Sequence, residues 1–138
     1  MSKKALVVID IQNDITKHYR DIIDTINAAI DWAMDLGMTV IYIKHNNLSP
    51  GTRTFKPDTK GSEYIRENGN DEFYITGADA AACVKSTCFN MTKAGYTVHV
   101  ISDCVTSYDL KKMPEMLSYY ADKGSEVKTL AEYQKAVL

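Results

Sequence analysis

The sequence has no apolar run close to the ~20 residues that a bilayer span needs. After the basic start Met1-Ser2-Lys3-Lys4 the apolar stretch is only Ala5 to Ile9, too short for the core of a secretory signal. Neither a G-x-G-x-x-G fingerprint nor a Walker loop occurs, so dinucleotide and nucleoside triphosphate binding have no support. Basic excess is missing too. Sixteen Lys and Arg face eighteen Asp and Glu, a net charge of -2, which argues against a nucleic-acid partner. Cysteine is scarce: three, an odd number and widely spread, fit a reducing cytoplasm better than a disulfide frame. The three histidines, His18, His45 and His99, show no metal-ligand spacing such as H-E-x-x-H, so no metal is expected. Repeats and low-complexity tracts are absent. What remains is 138 residues with 45% hydrophobic and 25% charged side chains, the balance of one globular domain spanning residues 1–138.

Ala5-Leu6-Val7-Val8-Ile9 is continuous, apolar and β-branched, as in a strand buried on both faces of a parallel sheet. A helix from about Arg20 to Leu36 presents Ile22, Ile23, Ile26, Ala29, Ile30, Ala33 and Leu36 on one face, with Gly37 as its stop. Further strands are expected at Thr39–Ile43, Phe73–Thr76, Thr97–Ile101 and Glu126–Lys128. Helices fall at about Ala81–Lys93, with a buried stripe of Val84, Thr87, Cys88, Met91 and Ala94, and at about Lys112–Asp122, with Pro114 in its first turn. Thr129 and Glu132 form a capping box for a last helix. Strands alternating with amphipathic helices predict a three-layer α/β domain with a doubly wound parallel sheet in the order 2-1-3-4-5. Residues Asn46 to Gly61 are aperiodic, with Pro50, Gly51, Pro57 and Gly61, and only a short helix, Ser62–Asn68, separates them from the third strand.

In such a sheet, ligands bind beyond the carboxyl ends of the strands at the switch point, here between strands one and three. Asp10 ends the first strand. Cys83 begins the helix after the third, where the positive end of the macrodipole favours the thiolate. Gly77, Ala78, Ala80, Ala81 and Ala82 leave backbone N–H groups accessible to a developing oxyanion. Cys83 is thus either a nucleophile or a small core residue, and its position favours the first. Asp10 is either a catalytic acid–base group or a turn cap. Cys88 and Cys104 are expected to be core or loop filler, and His99 to be structural. His45, at the carboxyl edge, is a candidate substrate contact.

Ala5-Leu6-Val7-Val8-Ile9-Asp10-Ile11-Gln12-Asn13-Asp14 resembles the first-strand motif of the isochorismatase-like cysteine hydrolases, a superfamily that includes nicotinamidases and N-carbamoylsarcosine amidohydrolases. Tyr74-Ile75-Thr76-Gly77-Ala78-Asp79-Ala80-Ala81-Ala82-Cys83-Val84-Lys85-Ser86-Thr87 resembles its second signature, and Gly95-Tyr96 with Val98 to Asp103 resembles its next strand. The resemblance implies Cys83 as nucleophile, Asp10 as its base, a cis peptide at Ala78-Asp79, and an oxyanion hole from the backbone N–H groups of Asp79 and Cys83. Gln12, in the first motif, joins His45 as a candidate substrate contact. The implied substrate is a small amide-like or isochorismate-like molecule, with no cofactor.

The chain departs from the resemblance between Glu63 and Tyr64. The family's outer strand, the lysine that completes its site and most of the following helix are missing there. Lys56 and Lys60 are the nearest substitutes. The alternative reading is therefore a catalytically inactive, shortened scaffold or a truncated or engineered variant. Loss of an outer strand would leave Thr39–Ile43 as a sheet edge, so a homo-oligomer that covers it is expected.

Overall fold

A strand without a polar face has to lie in mid-sheet, covered on both sides. In the computed structural model, which describes residues 3–9, 20–43, 69–78, 80, 83–107 and 110–136, β1 (Lys4–Ile9) has that place. It pairs in parallel with β2 (Thr39–Ile43) on one side and β3 (Glu72–Gly77) on the other. With β4 (Thr97–Val105) and β5 (Glu126–Lys128) the sheet runs β2-β1-β3-β4-β5, all parallel, as the sequence predicts. Among the described residues the helices are α1 (Arg20–Asp35), α2 (Cys83–Lys93), α3 (Met113–Asp122, entered through a 3-10 turn at Leu110–Lys112) and α4 (Leu130–Ala136). No helix among the described residues is long and apolar enough to cross a membrane.

Side-chain alternation divides the interior into two cores. Ala5, Val7 and Ile9 of β1 join Val84, Cys88 and Met91 of α2 and Met116 and Tyr120 of α3. Leu6 and Val8 join Ile22, Ile26, Ala29, Trp32 and Ala33 of α1 and Leu130 and Tyr133 of α4. Each large aliphatic side chain so buried stabilises the fold by about 1.5–3 kcal/mol. Two residues expected on inner faces are exposed, for one reason. Leu36 and Ala94 lie just past the helix ends at Asp35 and Lys93, in turns. Met38 packs against the core where Leu36 does not, and Trp32 sets its ring edge-on against Tyr74 at 5.2 Å.

β4 is longer than its apolar run predicts. Between the pairs Ile75–Val100 and Gly77–Val105, two steps along β3 match five along β4. The excess is odd, so the faces exchange beyond the bulge. Cys104 therefore enters the α1 side, where its thiol lies 3.5 Å from the Thr25 carbonyl, and Val105 enters the α2 side. Asp103 accepts from the Leu130 N–H at 3.0 Å and so helps start α4. The capping box completes that start. The Glu132 N–H donates to Thr129 Oγ1 at 3.2 Å, and the Thr129 N–H donates to Glu132 Oε1 at 3.1 Å. These bonds hold the Glu132 carboxyl below the ordinary carboxylate range.

His99 is structural, as expected, and the way it is held is not readable from its own segment. Its Nε2 lies 2.6 Å from Glu72 and its Nδ1 2.9 Å from Glu126, and its ring stacks on Tyr74 at 4.5 Å. The group ties β3, β4 and β5 together near their amino ends, remote from Gly77. Asn46–Gly61 and Ser62–Asn68 lie outside the described residues.

Two expected outcomes follow from this packing. At Gly77, φ is +121° and an added Cβ would sit 2.1 Å from the Ile9 carbonyl oxygen, a backbone atom that no rotamer change can move. Gly37 also has a positive φ, +74°, but nothing lies within 4 Å. Gly77→Ala should cost more than about 3 kcal/mol or prevent folding, and Gly37→Ala about 1–2 kcal/mol. Urea unfolding followed by Trp32 fluorescence checks both.

The second outcome is an alkaline loss of stability. Burial pushes the Cys88 thiol from 9.0 up to about 12. Burial and the Glu72 and Glu126 charges push Tyr74 to about 12 as well. The unfolded chain gives up these protons first, so their contribution is intact below about pH 9 and is lost as pH rises toward 12. Cys88→Ala should flatten the loss between about pH 10 and 11 by one proton, ~1.4 kcal/mol per pH unit. Urea melts under reductant at several pH values measure the slope.

Candidate functional site

The register of β1 on β3 pairs Ile9 with Gly77. The end of β1 and the turn after Gly77 therefore lie side by side at the carboxyl edge of the sheet. Gly77 is required there because the two backbones touch. The turn is fastened on each side. The Ala78 N–H donates to the Ile9 carbonyl at 3.0 Å, and the Thr106 N–H donates to the Gly77 carbonyl at 3.1 Å. The Ala80 N–H donates back to the Thr106 carbonyl at 2.8 Å. From α3, the Tyr120 hydroxyl donates to the Ala80 carbonyl. Below the turn, Thr76 Oγ1 donates to the Val7 carbonyl at 2.9 Å, so this buried hydroxyl is satisfied.

Cys83 is the first residue of α2 and is half-buried, whereas Cys88 and Cys104 are buried. The three thiols differ accordingly. Burial holds Cys88 protonated, and burial together with the Asp103 charge raises Cys104. Cys83 instead stands where the N–H groups of a first helical turn converge, and that turn carries no acidic side chain. A thiol in this position can serve as a nucleophile, with backbone donors beside it.

Of the site residues singled out from the sequence, the structure describes Ala78, just after Gly77, and Cys83, at the start of α2. Ala78 is buried against the α1 side. Asp10, Gln12, His45, Lys56, Lys60 and Asp79 lie outside the described residues, and with Asp79 the expected cis peptide. Among the described residues no group of three or more His, Cys, Asp or Glu could hold a metal ion. Sequence reasoning did not find the roles of Thr106 and Tyr120. Tyr120 carried a signal, its place on the inner face of a helix, but its hydroxyl's partner is forty residues away. Thr106 acts through its backbone, which no side-chain pattern reports.

The isochorismatase domain family model matches residues 4–63 and 54–132, two stretches that share 54–63. No curated protein sequence matches the chain. Among solved structures, an isochorismatase-like hydrolase from Alkaliphilus metalliredigens superposes with a TM-score of 0.83 at 21% identity, over 99% of this chain and 100% of that one. The nicotinamidase of Staphylococcus aureus gives 0.76 at 20% identity, over 92% of this chain and 99% of that one. N-carbamoylsarcosine amidase from Thermoplasma acidophilum gives 0.74 at 22% identity, over 93% of this chain and 96% of that one. These likenesses speak for a shared fold, and the two matched stretches reach from the first strand to the last helix. The chain belongs to the isochorismatase-like hydrolase family.

Proposed function

We propose that the protein is a cysteine-dependent hydrolase of a small amide-like or isochorismate-like substrate, with Cys83 as nucleophile and Asp10 as its base. The observation that carries this reading is the place of Cys83: a half-buried thiol at the start of α2, directly beyond the Gly77 turn. Asp10 follows Ile9, the register partner of Gly77, directly in the sequence. A nicotinamidase and an N-carbamoylsarcosine amidase among the structures of similar fold support the amide class.

For an amide, the steps are these. The Asp10 carboxylate takes the Cys83 proton and the sulfur attacks the carbonyl carbon. The oxyanion accepts from the backbone N–H groups of Asp79 and Cys83. Collapse expels the amine, which leaves with the proton held by Asp10. Water then hydrolyses the thioester and restores the thiol. Gln12 and His45 are proposed to contact substrate. No metal or organic cofactor is invoked. Without a neighbouring cation, the Asp10 carboxylate and the thiolate oppose each other's ionisation. Lys56 or Lys60 is proposed to supply that cation.

Three outcomes test this. Cys83 should be alkylated by iodoacetamide at neutral pH much faster than Cys88, as a mass-spectrometric time course would report; equal rates count against an activated thiol. Across a panel of small amides, Asp10→Asn and Cys83→Ala should each abolish turnover. Lys56→Ala or Lys60→Ala should lower kcat/KM at least about tenfold, ~1.4 kcal/mol of transition-state stabilisation. Full activity in both lysine variants removes the loop lysine from the scheme. No turnover by the parent, with an unreactive Cys83, supports an inactive scaffold instead.

A second copy is proposed to cover β2. Among the described residues this strand ends the sheet order, and Tyr42 on it is 63% exposed. Sedimentation at ~100 μM should show a dimer or larger species, a concentration well above common interface Kd values. A strict monomer counts against the assembly.

A further inference from the structure

The hydroxyl of Tyr120 is the one part of that side chain its packing does not explain. The ring is buried, 1% exposed, in the core formed with Ala80, Val84, Cys88 and Met91. A phenylalanine would fill the same volume without carrying a polar atom into that core. The hydroxyl instead reaches from α3 to the turn that precedes α2 and donates to the Ala80 carbonyl. The N–H of the same residue is held by the Thr106 carbonyl at 2.8 Å. Ala80 is thus fixed through both of its backbone polar groups, three residues before Cys83.

The partners on the two sides differ in kind. Gly77, Ala78 and the Ala80 N–H are tied to β1 and to the segment after β4, the backbone frame of the sheet. The Ala80 carbonyl is tied to a side chain of a helix that also packs against α2. One residue therefore joins the turn, the sheet edge and the two helices of that face. From this arrangement we infer that Tyr120 is a positioning residue for Cys83. Its hydroxyl fixes the direction in which the turn enters α2, and with it where the thiol stands against the first-turn N–H groups. The inference rests on the proposed role of Cys83 and adds the group that holds the nucleophile in place. Tyr120 itself touches no reacting atom in this scheme.

Removing the hydroxyl leaves the Ala80 carbonyl buried without that donor, and the turn is then free to rotate toward another. Loss of one buried hydrogen bond lowers stability whatever its purpose, so a stability measurement cannot decide. The deciding measurement is the rate of Cys83 alkylation by iodoacetamide from pH 6 to 9, with Cys88 as the reference within the same molecule. In Tyr120→Phe the Cys83 rate at pH 7 should fall about tenfold and its pH profile move to higher pH, while Cys88 stays protected. A parental Cys83 profile in folded Tyr120→Phe overturns the inference and leaves the proposed function standing. A parental protein whose Cys83 reacts no faster than Cys88 overturns both. If Tyr120→Phe does not fold, 3-fluorotyrosine placed at 120 keeps the shape and strengthens the donor. Its Cys83 profile, read below pH 8, should then move to lower pH, and an unmoved profile overturns the inference.

Discussion

The carbonyl of Ile9 and the α-carbon of Gly77 approach so closely that a single methyl group would not fit between them. Much of the architecture at the carboxyl edge depends on that contact. It lets β1 and β3 run together to their last residues, Ile9 beside Gly77. A side chain here would part the strands and open the switch point of the doubly wound sheet, the place where such folds keep their ligands. The left-handed φ of Gly77 then aims the following residues across the edge toward the end of β4, where Thr106 receives them.

The same geometry separates three chemically identical side chains. Cys88 lies one and a half turns into α2 and faces the core with Val84 and Met91; its burial makes it inert. Cys104 is carried inward by the bulge in β4. Cys83 alone stands where the helix begins, at the boundary between packed interior and edge. The backbone thus gives the three thiols different surroundings: one stands at a helix start, and two are buried in the core.

Much of this was legible in the sequence, and the exceptions have physical causes. Strand order followed from the unbroken apolar run of β1 and the alternation after it, because a doubly wound sheet covers such a strand on both faces and the five strands are too few for a closed (β/α)8 barrel. The Thr129–Glu132 cap was visible because both members lie within one turn. Leu36 and Ala94 were misplaced because periodicity continues past a helix end that the backbone marks only by turning. The extent of β4 was hidden because a bulge reverses the alternation by which strands are recognised. The grip of Glu72 and Glu126 on His99, and of Tyr120 on Ala80, joins residues far apart in the chain, where local pattern carries no signal.

The central place of β1 also shapes the life of the chain before it is folded. Residue Ala5 pairs with Thr39 on one side and Phe73 on the other, so β1 leaves the ribosome well before either neighbour exists. During that interval Ala5–Ile9 is an apolar, β-branched segment with both hydrogen-bonding edges open, the kind of sequence that pairs with copies of itself. Parallel pairings close late because each must first overcome the entropy of a long loop. The strand that organises the finished sheet is therefore also one whose pairing edges stay open until later segments of the chain are made.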